Sequence, residues 1–332
     1  MYRVFGKYFS DEVVRVILDD PQGAALGGDK KTVTIMMADM RGFTSLSERL
    51  PAEAVIDILN HFLGEMTEII RRRCGTVIEF QGDAILAIFG APLSLASAEE
   101  TALITAIEMQ NHMDVLCDYC RQKGYPGIEM GIGIHKGEVF LGNIGSERLM
   151  QYNVIGHAVN LCSRIESYSV GGQILISQDA IRAIKKPVRC NQELEISMKG
   201  ICNPIKIYEV LAIEADCVYE QKQRALQELQ PVEDLYLMVR TLQEKRVLDG
   251  AVSRKVKAYS QDYILFVRDY SEMEPQLYQN IELSRWQSAD WEVQEEPDYA
   301  YAKVVELTEE GLLARMTYLP QDFWSIQGGN KK

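Results

Sequence analysis

Two aspartates draw attention by where they fall. Asp39 ends the apolar run TVTIMMA (32–38), and Asp83 follows Gly82 between two β-like runs, 76–80 and 84–89. A carboxylate at a strand end is displayed without being buried. Two on neighbouring strands can share magnesium, which takes oxygen ligands and fills its other positions with water and substrate phosphate. Gly42 allows a tight turn after Asp39 whose N–H groups approach an anion, and the helical stretch beyond adds its positive end. Together these make a cradle for a metal-bound triphosphate. A second group lies in YNVIGHAVNLCSRIES, residues 152–167. Asn160 and Arg164 are spaced to share one helix face. An amide and a guanidinium there can hold a ribose oxygen and a phosphate gaining charge, and planar Arg suits phosphate better than Lys does. Lys199, in MKG after a strand-like run, can reach a triphosphate as a point charge. Taken singly, each is an ordinary turn or surface residue. The ordered set carries the reading.

The elements that position these groups follow from periodicity. Residues 2–20 read as an amphipathic helix capped by Ser10 and Asp11, and Pro21 with Gly23, Gly27 and Gly28 ends it, so residues 1–31 are a linker. The run 32–38 suits a strand buried on both faces. Residues 51–73 form a long helix with Val55, Ile58, Leu59, Phe62, Leu63, Met66, Ile69 and Ile70 on one face. The runs 76–80 and 84–89 make a hairpin with Asp83 near its turn. Residues 97–123 and 157–167 are helical. Strands are expected at 128–134, 138–144 and 173–177. This mixed order suits a helix-covered sheet better than a bundle. After residue 213 the composition shifts. Residues 216–230 read as a polar helix, and alternation in LYLMVRTL, YILFVRDY and AYAKVVEL points to a small, mostly β domain within 214–332.

The 332 residues suffice for one large domain and one small one. A net charge of -13 disfavours nonspecific nucleic-acid binding through phosphates, while a metal-bound nucleotide remains compatible. No apolar run approaches the roughly 20 residues of a membrane helix. Seven scattered cysteines, an odd number in a chain whose first residues lack a signal-peptide core, suggest reduced thiols and a cytoplasmic location. Cys117 and Cys120 form a CxxC, but with no second pair they read as helix residues rather than zinc ligands.

In its ordered motifs the chain resembles the bacterial type of class III adenylate and guanylate cyclases. The resemblance runs from about Val33 to Val210 through ADMRGFTSLSE, EFQGDAILAIFGAP, GIGIHKGEVFLGNIG, YNVIGHAVNLCSRIES, GGQILIS and MKG. It implies an α+β fold, a ferredoxin-like βαββαβ palm over 32–213, working as a head-to-tail homodimer with each site built from both chains. It implies two Mg²⁺ or Mn²⁺ ions per site, bound by Asp39, Asp83 and the carbonyl of Met40. Gly42, Phe43 and Thr44 match the phosphate-binding turn, and Lys199 the lysine on the triphosphate. Asn160 and Arg164 match the pair that stabilises the transition state. The implied reaction is metal-assisted attack of the ribose 3′-hydroxyl on the α-phosphate of a purine nucleoside triphosphate. Asp39, water and substrate phosphate all remain open as acceptors of the 3′ proton.

Glu79 and Asn153 match the two base-reading positions. A carboxylate accepts from guanine N1–H and its exocyclic amine, which leans to GTP, while the amide of Asn153 fits either purine and family frequency leans to ATP. The resemblance also likens residues 2–27 to a linker that follows sensor domains. Regulation is therefore expected from an upstream sensor or from a ligand of the C-terminal domain. A PilZ-like barrel is one reading of that domain, though the arginine pair and Asp-x-Ser motif of that family are not present in good form. A dimerisation or docking module is the other. The rival functions are a silent nucleotide-binding regulator of cyclase fold and a partner-binding protein acting through the C-terminal domain.

Overall fold

The computed structural model describes residues 25–196, 204–222, 228–243, 246–247, 250–268, 270–271, 273–285, 299–309, 311–319 and 323–324. The expected helix at 2–20 lies outside them. The first unit is organised around strand β1 (Gly27–Arg41). Next come the short helix α1 (Phe43–Arg49) and the long helix α2 (Ala52–Arg72). The hairpin β2 (Thr76–Gln81) and β3 (Ala84–Phe89) leads to helix α3 (Ala98–Lys123). Strands β4 (Glu129–Ser146) and β5 (Leu149–Ile155) precede helix α4 (His157–Tyr168). The unit closes with β6 (Ile174–Ser177), helix α5 (Gln178–Ile181), β7 (Val188–Ile196), β8 (Ile205–Glu214) and β9 (Val218–Glu220). The sheet order is β2-β3-β1-β4-β6-β8-β7, with β5 paired to β4 and β9 to β8.

Period-2 alternation sorts β1 onto the two sheet faces. Met36, Ala38 and Met40 pack with Ile85, Ala87 and Phe89 of β3 and with apolar residues of α2 and α3. Val33, Ile35 and Met37 pack on the other face with Val139, Val154, Ala158 and Cys162. Both faces are covered, so the sequence shows a continuous apolar run rather than alternation. In β4 the alternation has a second purpose. Met130, Ile132 and Ile134 face the α2–α3 layer, while glycines hold the α4 side open. A Cβ on Gly133 would sit 2.5 Å from the backbone nitrogen of Glu166 in α4. The helix thus lies directly on the strand.

Several expectations change. The strands foreseen at 128–134 and 138–144 are one strand, β4, because β1 pairs straight through the junction: Ile35 with His135, Thr34 with Lys136, Val33 with Gly137. Gly137 serves close packing instead of a turn; its Cβ would meet that of Ala158 at 2.5 Å. Gly27 and Gly28, read as linker, open β1, paired with Asn143 and Gly142. The helix expected at 216–230 is absent among the described residues there. Val218–Glu220 is a strand on β8, so the chain divides into two compact units at residues 223–224 rather than near 213.

The second unit is all β among its described residues: β10 (Gln230–Pro231), β11 (Tyr236–Gln243), β12 (Arg246–Val247), β13 (Val252–Tyr259), β14 (Tyr263–Phe266), β15 (Asn280–Arg285), β16 (Ala300–Leu307) and β17 (Leu312–Tyr318). Strands β13-β14-β17-β16-β15-β11 pair in succession, and β11 pairs back to β13. That pairing closes an antiparallel barrel, which removes the sheet edges. Leu237, Val239, Val256, Phe266, Ile281, Val304 and Ala314 fill its core.

Candidate active site

Asp39 lies on β1, and Asp83 lies in the loop that leads into β3, the strand paired with β1. The antiparallel register of β1 with β3 ends at Ala38 opposite Ile85. β1 continues past that pair through Asp39 to Arg41, while β3 begins at Ala84 with Asp83 just before it. Asp83 itself closes the two-residue loop between Gln81 and Ala84, which are paired. Gly82 takes φ 68°, the left-handed conformation that makes so short a loop accessible. The Asp39 side chain is 27% exposed. Met40 points its side chain into the opposite layer, 3% exposed, so only its carbonyl can serve a ligand here. Among the described residues no cluster of three or more His, Cys, Asp or Glu side chains forms. A cation would therefore have two carboxylates and a carbonyl, all hard oxygens. That donor set suits magnesium completed by water and phosphate and does not suit zinc.

Gly42 carries φ 72° and caps α1, so the chain turns sharply after β1 and places Phe43 and Thr44 in the first helical turn. First-turn N–H groups have no partner inside the helix. Lys199 lies outside the described residues.

Helix α4 sorts its residues by face. Ala158, Leu161, Cys162, Ile165 and Glu166 are buried against the sheet. His157, Asn160, Arg164 and Ser167 are exposed along the other side. Asn160 and Arg164 therefore share a face, as their spacing requires, and that face turns away from the chain's own sheet. The Cys162 thiol beneath them is pushed up by burial and donates toward the carbonyls of Ile35 and Gly133 at 3.4 Å. His135, under the same helix, sits 2.8 Å from the hydroxyl of Ser177 by its Nδ1, and burial lowers its pKa.

Glu79 on β2 and Asn153 on β5 come together. The Nδ2 of Asn153 donates to Oε2 of Glu79 at 3.3 Å, and the Nε2 of Gln81 donates to its Oε1. The carboxylate is thus held at both oxygens by amide donors. Gln81 had no role in the sequence reading. Its signal was available in the two-residue spacing from Glu79, which puts both on one side of β2.

Arg41 was also missed, and it lies beside Asp39. It shares a sheet face with Asp39. Its Nη1 donates to Asp39 Oδ2 at 3.3 Å, and its Nη2 to the carboxylate of Glu166, to the Glu166 carbonyl at 3.2 Å and to Ser169 Oγ at 2.8 Å. The side chains of Arg41 and Glu166 are only 11% and 7% exposed.

The profile of the adenylate and guanylate cyclase catalytic domain matches residues 28–212, more than half of the chain. Among solved structures, the guanylyl cyclase Cya2 is 42% identical with a TM-score of 0.56, over 57% of this chain and 96% of that one. The adenylyl cyclase CyaB from P. aeruginosa is 36% identical with a TM-score of 0.55, over 61% of this chain and all of that one (100%). An adenylate cyclase of Anabaena cylindrica is 33% identical over 221 residues, covering 63% of this chain and 43% of the relative. The chain spans less than half the length of such curated relatives. Fold and motifs together define a nucleotidyl cyclase catalytic domain. The chain belongs to the adenylate and guanylate cyclase family. No described helix is long and apolar enough to cross a membrane.

Proposed function

We propose that the chain converts a purine nucleoside triphosphate into its 3′,5′-cyclic monophosphate, releasing pyrophosphate. The observation that carries this reading is the placement of Asp39 near the end of β1 and of Asp83 in the loop before its neighbour β3, together with the exposed Asn160–Arg164 face of α4. The ribose 3′-oxygen bonds to the α-phosphorus, the bond from that phosphorus to the bridging oxygen breaks, and pyrophosphate leaves with its electron pair. The 3′ proton goes to Asp39, water or a substrate phosphate. Asp39, Asp83 and the Met40 carbonyl would hold two Mg²⁺ or Mn²⁺ ions, which when bound acidify the 3′-hydroxyl and neutralise the triphosphate. Arg164 meets charge developing at the transferring phosphorus, and Asn160 orients the ribose. Gly42, Phe43, Thr44 and Lys199 bind the phosphates. An outward-facing α4 cannot serve its own sheet end, which supports a head-to-tail homodimer with two shared sites. The reaction is assigned to the cytoplasm on the reduced-thiol reading of the cysteines, and the barrel of the second unit to regulation.

For the base, guanine is the primary reading. The Glu79 carboxylate accepts from two amides in the free chain, the polarity that guanine N1–H and its amine present. The second reading, adenine, rests on curated relatives that are adenylate cyclases. The test is product identification by mass spectrometry with ATP and GTP side by side, in magnesium and in manganese. Absence of any cyclic nucleotide from the folded dimer would refute the activity. Cyclic AMP as the dominant product would refute the guanine reading alone.

A further inference from the structure

We propose that Arg41 is a positioning residue for the metal-ligating carboxylate of Asp39, and that Glu166 and Ser169 hold it in that role. The proposal rests on the cyclase reading above. A carboxylate at a strand end rotates freely unless something fixes it. Nη1 of Arg41 takes Oδ2 of Asp39 and leaves Oδ1 for a cation. Hydrogen-bonded partners behind a ligating carboxylate set its orientation in this way. The guanidinium is itself fixed at its other end by the Glu166 carboxylate and carbonyl and by Ser169 Oγ. Ser169 Oγ also donates to the Glu166 carbonyl at 2.8 Å.

The sequence makes room for this arrangement. Gly131 stands opposite Asp39 on β4. A Cβ there would lie 2.1 Å from both Nη2 of Arg41 and Oγ of Ser169, so any other residue would displace the guanidinium. Lysine could not substitute, because a single ammonium cannot span Asp39 and Glu166 in a fixed fork. The buried charge of Arg41 needs a buried counter-charge, and Glu166 supplies it. The bridge also ties Asp39 to the helix that carries Asn160 and Arg164. Under the shared-site reading, each chain's metal ligand is thereby fixed to the helix serving the other site.

The test measures Mn²⁺ binding by electron paramagnetic resonance, in the presence of 3′-deoxy-GTP or 3′-deoxy-ATP, which cannot cyclise. Thermal unfolding and dimer mass are recorded for every variant. Arg41→Lys and Glu166→Gln should weaken Mn²⁺ binding by about 10–100-fold, the usual cost of losing such a partner. They should raise the metal concentration for half-maximal activity in parallel and leave the GTP-to-ATP ratio unchanged. Removing one member of a buried pair can destabilise the fold, whereas replacing both by apolar residues is often neutral. The double variant Arg41→Met/Glu166→Met is therefore decisive. Folded as a dimer yet weak for Mn²⁺, it supports the positioning role. Wild-type Mn²⁺ affinity in that variant would overturn it and leave the pair merely structural. Failure of the wild-type dimer to bind Mn²⁺ with either analogue would instead sink the metal-dependent cyclase reading on which the proposal rests.

Discussion

Exchanging the proposed base-reading pair, Glu79 and Asn153, gives the most quantitative check. In the double variant Glu79→Lys/Asn153→Asp, the acceptor at position 79 becomes a donor and the amide at 153 becomes an acceptor. Adenine offers an acceptor at N1 and a donor at its amine, so the new pair matches adenine where the old one matches guanine. A mispaired buried hydrogen bond costs roughly 1–3 kcal/mol. Glu79 and Asn153 are half-buried, so the low end applies, about 1 kcal/mol for each of two contacts. A total near 2 kcal/mol corresponds to a shift of roughly 30-fold in the ratio of kcat/KM for ATP over GTP. The new Lys and Asp can pair with each other as Glu79 and Asn153 now do at 3.3 Å, so the free enzyme should stay folded. The assay is steady-state kinetics with both nucleotides, before and after exchange, alongside thermal melting. An unchanged ratio in a folded, active double variant would mean that these residues do not face the base. The guanine argument would then fall, while the cyclase assignment, resting on other residues, would stand.

Asp39→Ala and Asp83→Ala should each abolish turnover while the circular dichroism spectrum stays native, since neither carboxylate belongs to a hydrophobic cluster; wild-type activity of Asp83→Ala in magnesium would remove it from the metal site. Arg164→Ala should lower kcat by about 10²–10³ with little change in KM, because it meets charge only as it develops; a collapse of substrate affinity at normal kcat would make it a ground-state clamp. Mixing the inactive variants Asp39→Ala and Arg164→Ala should recover activity through mixed dimers with one intact site, and proven mixed dimers without activity would refute shared sites. His135 is buried and its pKa is lowered below 6.5, so the unfolded chain takes up the proton first as pH falls. Its contribution is complete above about pH 6.5 and is lost below it. Melting curves should accordingly show the stability gap between wild type and His135→Asn narrowing from pH 7.5 to 5, and a constant gap would contradict this.

Much of the candidate site was legible because its sequence patterns are local. A strand Asp after an apolar run, a Gly-Asp hairpin tip and an Asn–Arg pair one helical turn apart are each short-range patterns; Asp39 lies within β1 rather than at its end, Asp83 in the hairpin loop, and Asn160 and Arg164 on α4. The strand 84–89 and the helix cores at 51–73 and 97–123 were legible for the same reason, since burial writes a period into the residues. Edges were not. The start of β1, Gly27–Lys31, is polar and exposed, so it carries no period, and only pairing with β4 makes it a strand. Likewise β5, with Leu149 and Ile155 exposed, exists because it docks on the far half of β4. The barrel closure between β11 and β13 depends on register, which alternation in single strands does not encode. Above all, the sequence could not show that Arg41 reaches Glu166 and Ser169, residues distant along the chain. That contact exists because Gly131 and Gly133 lower the surface of β4, letting α4 settle onto the sheet and bring a buried carboxylate to a buried guanidinium. Residue types suggested the candidate chemistry, and long-range packing decided which groups lie beside one another.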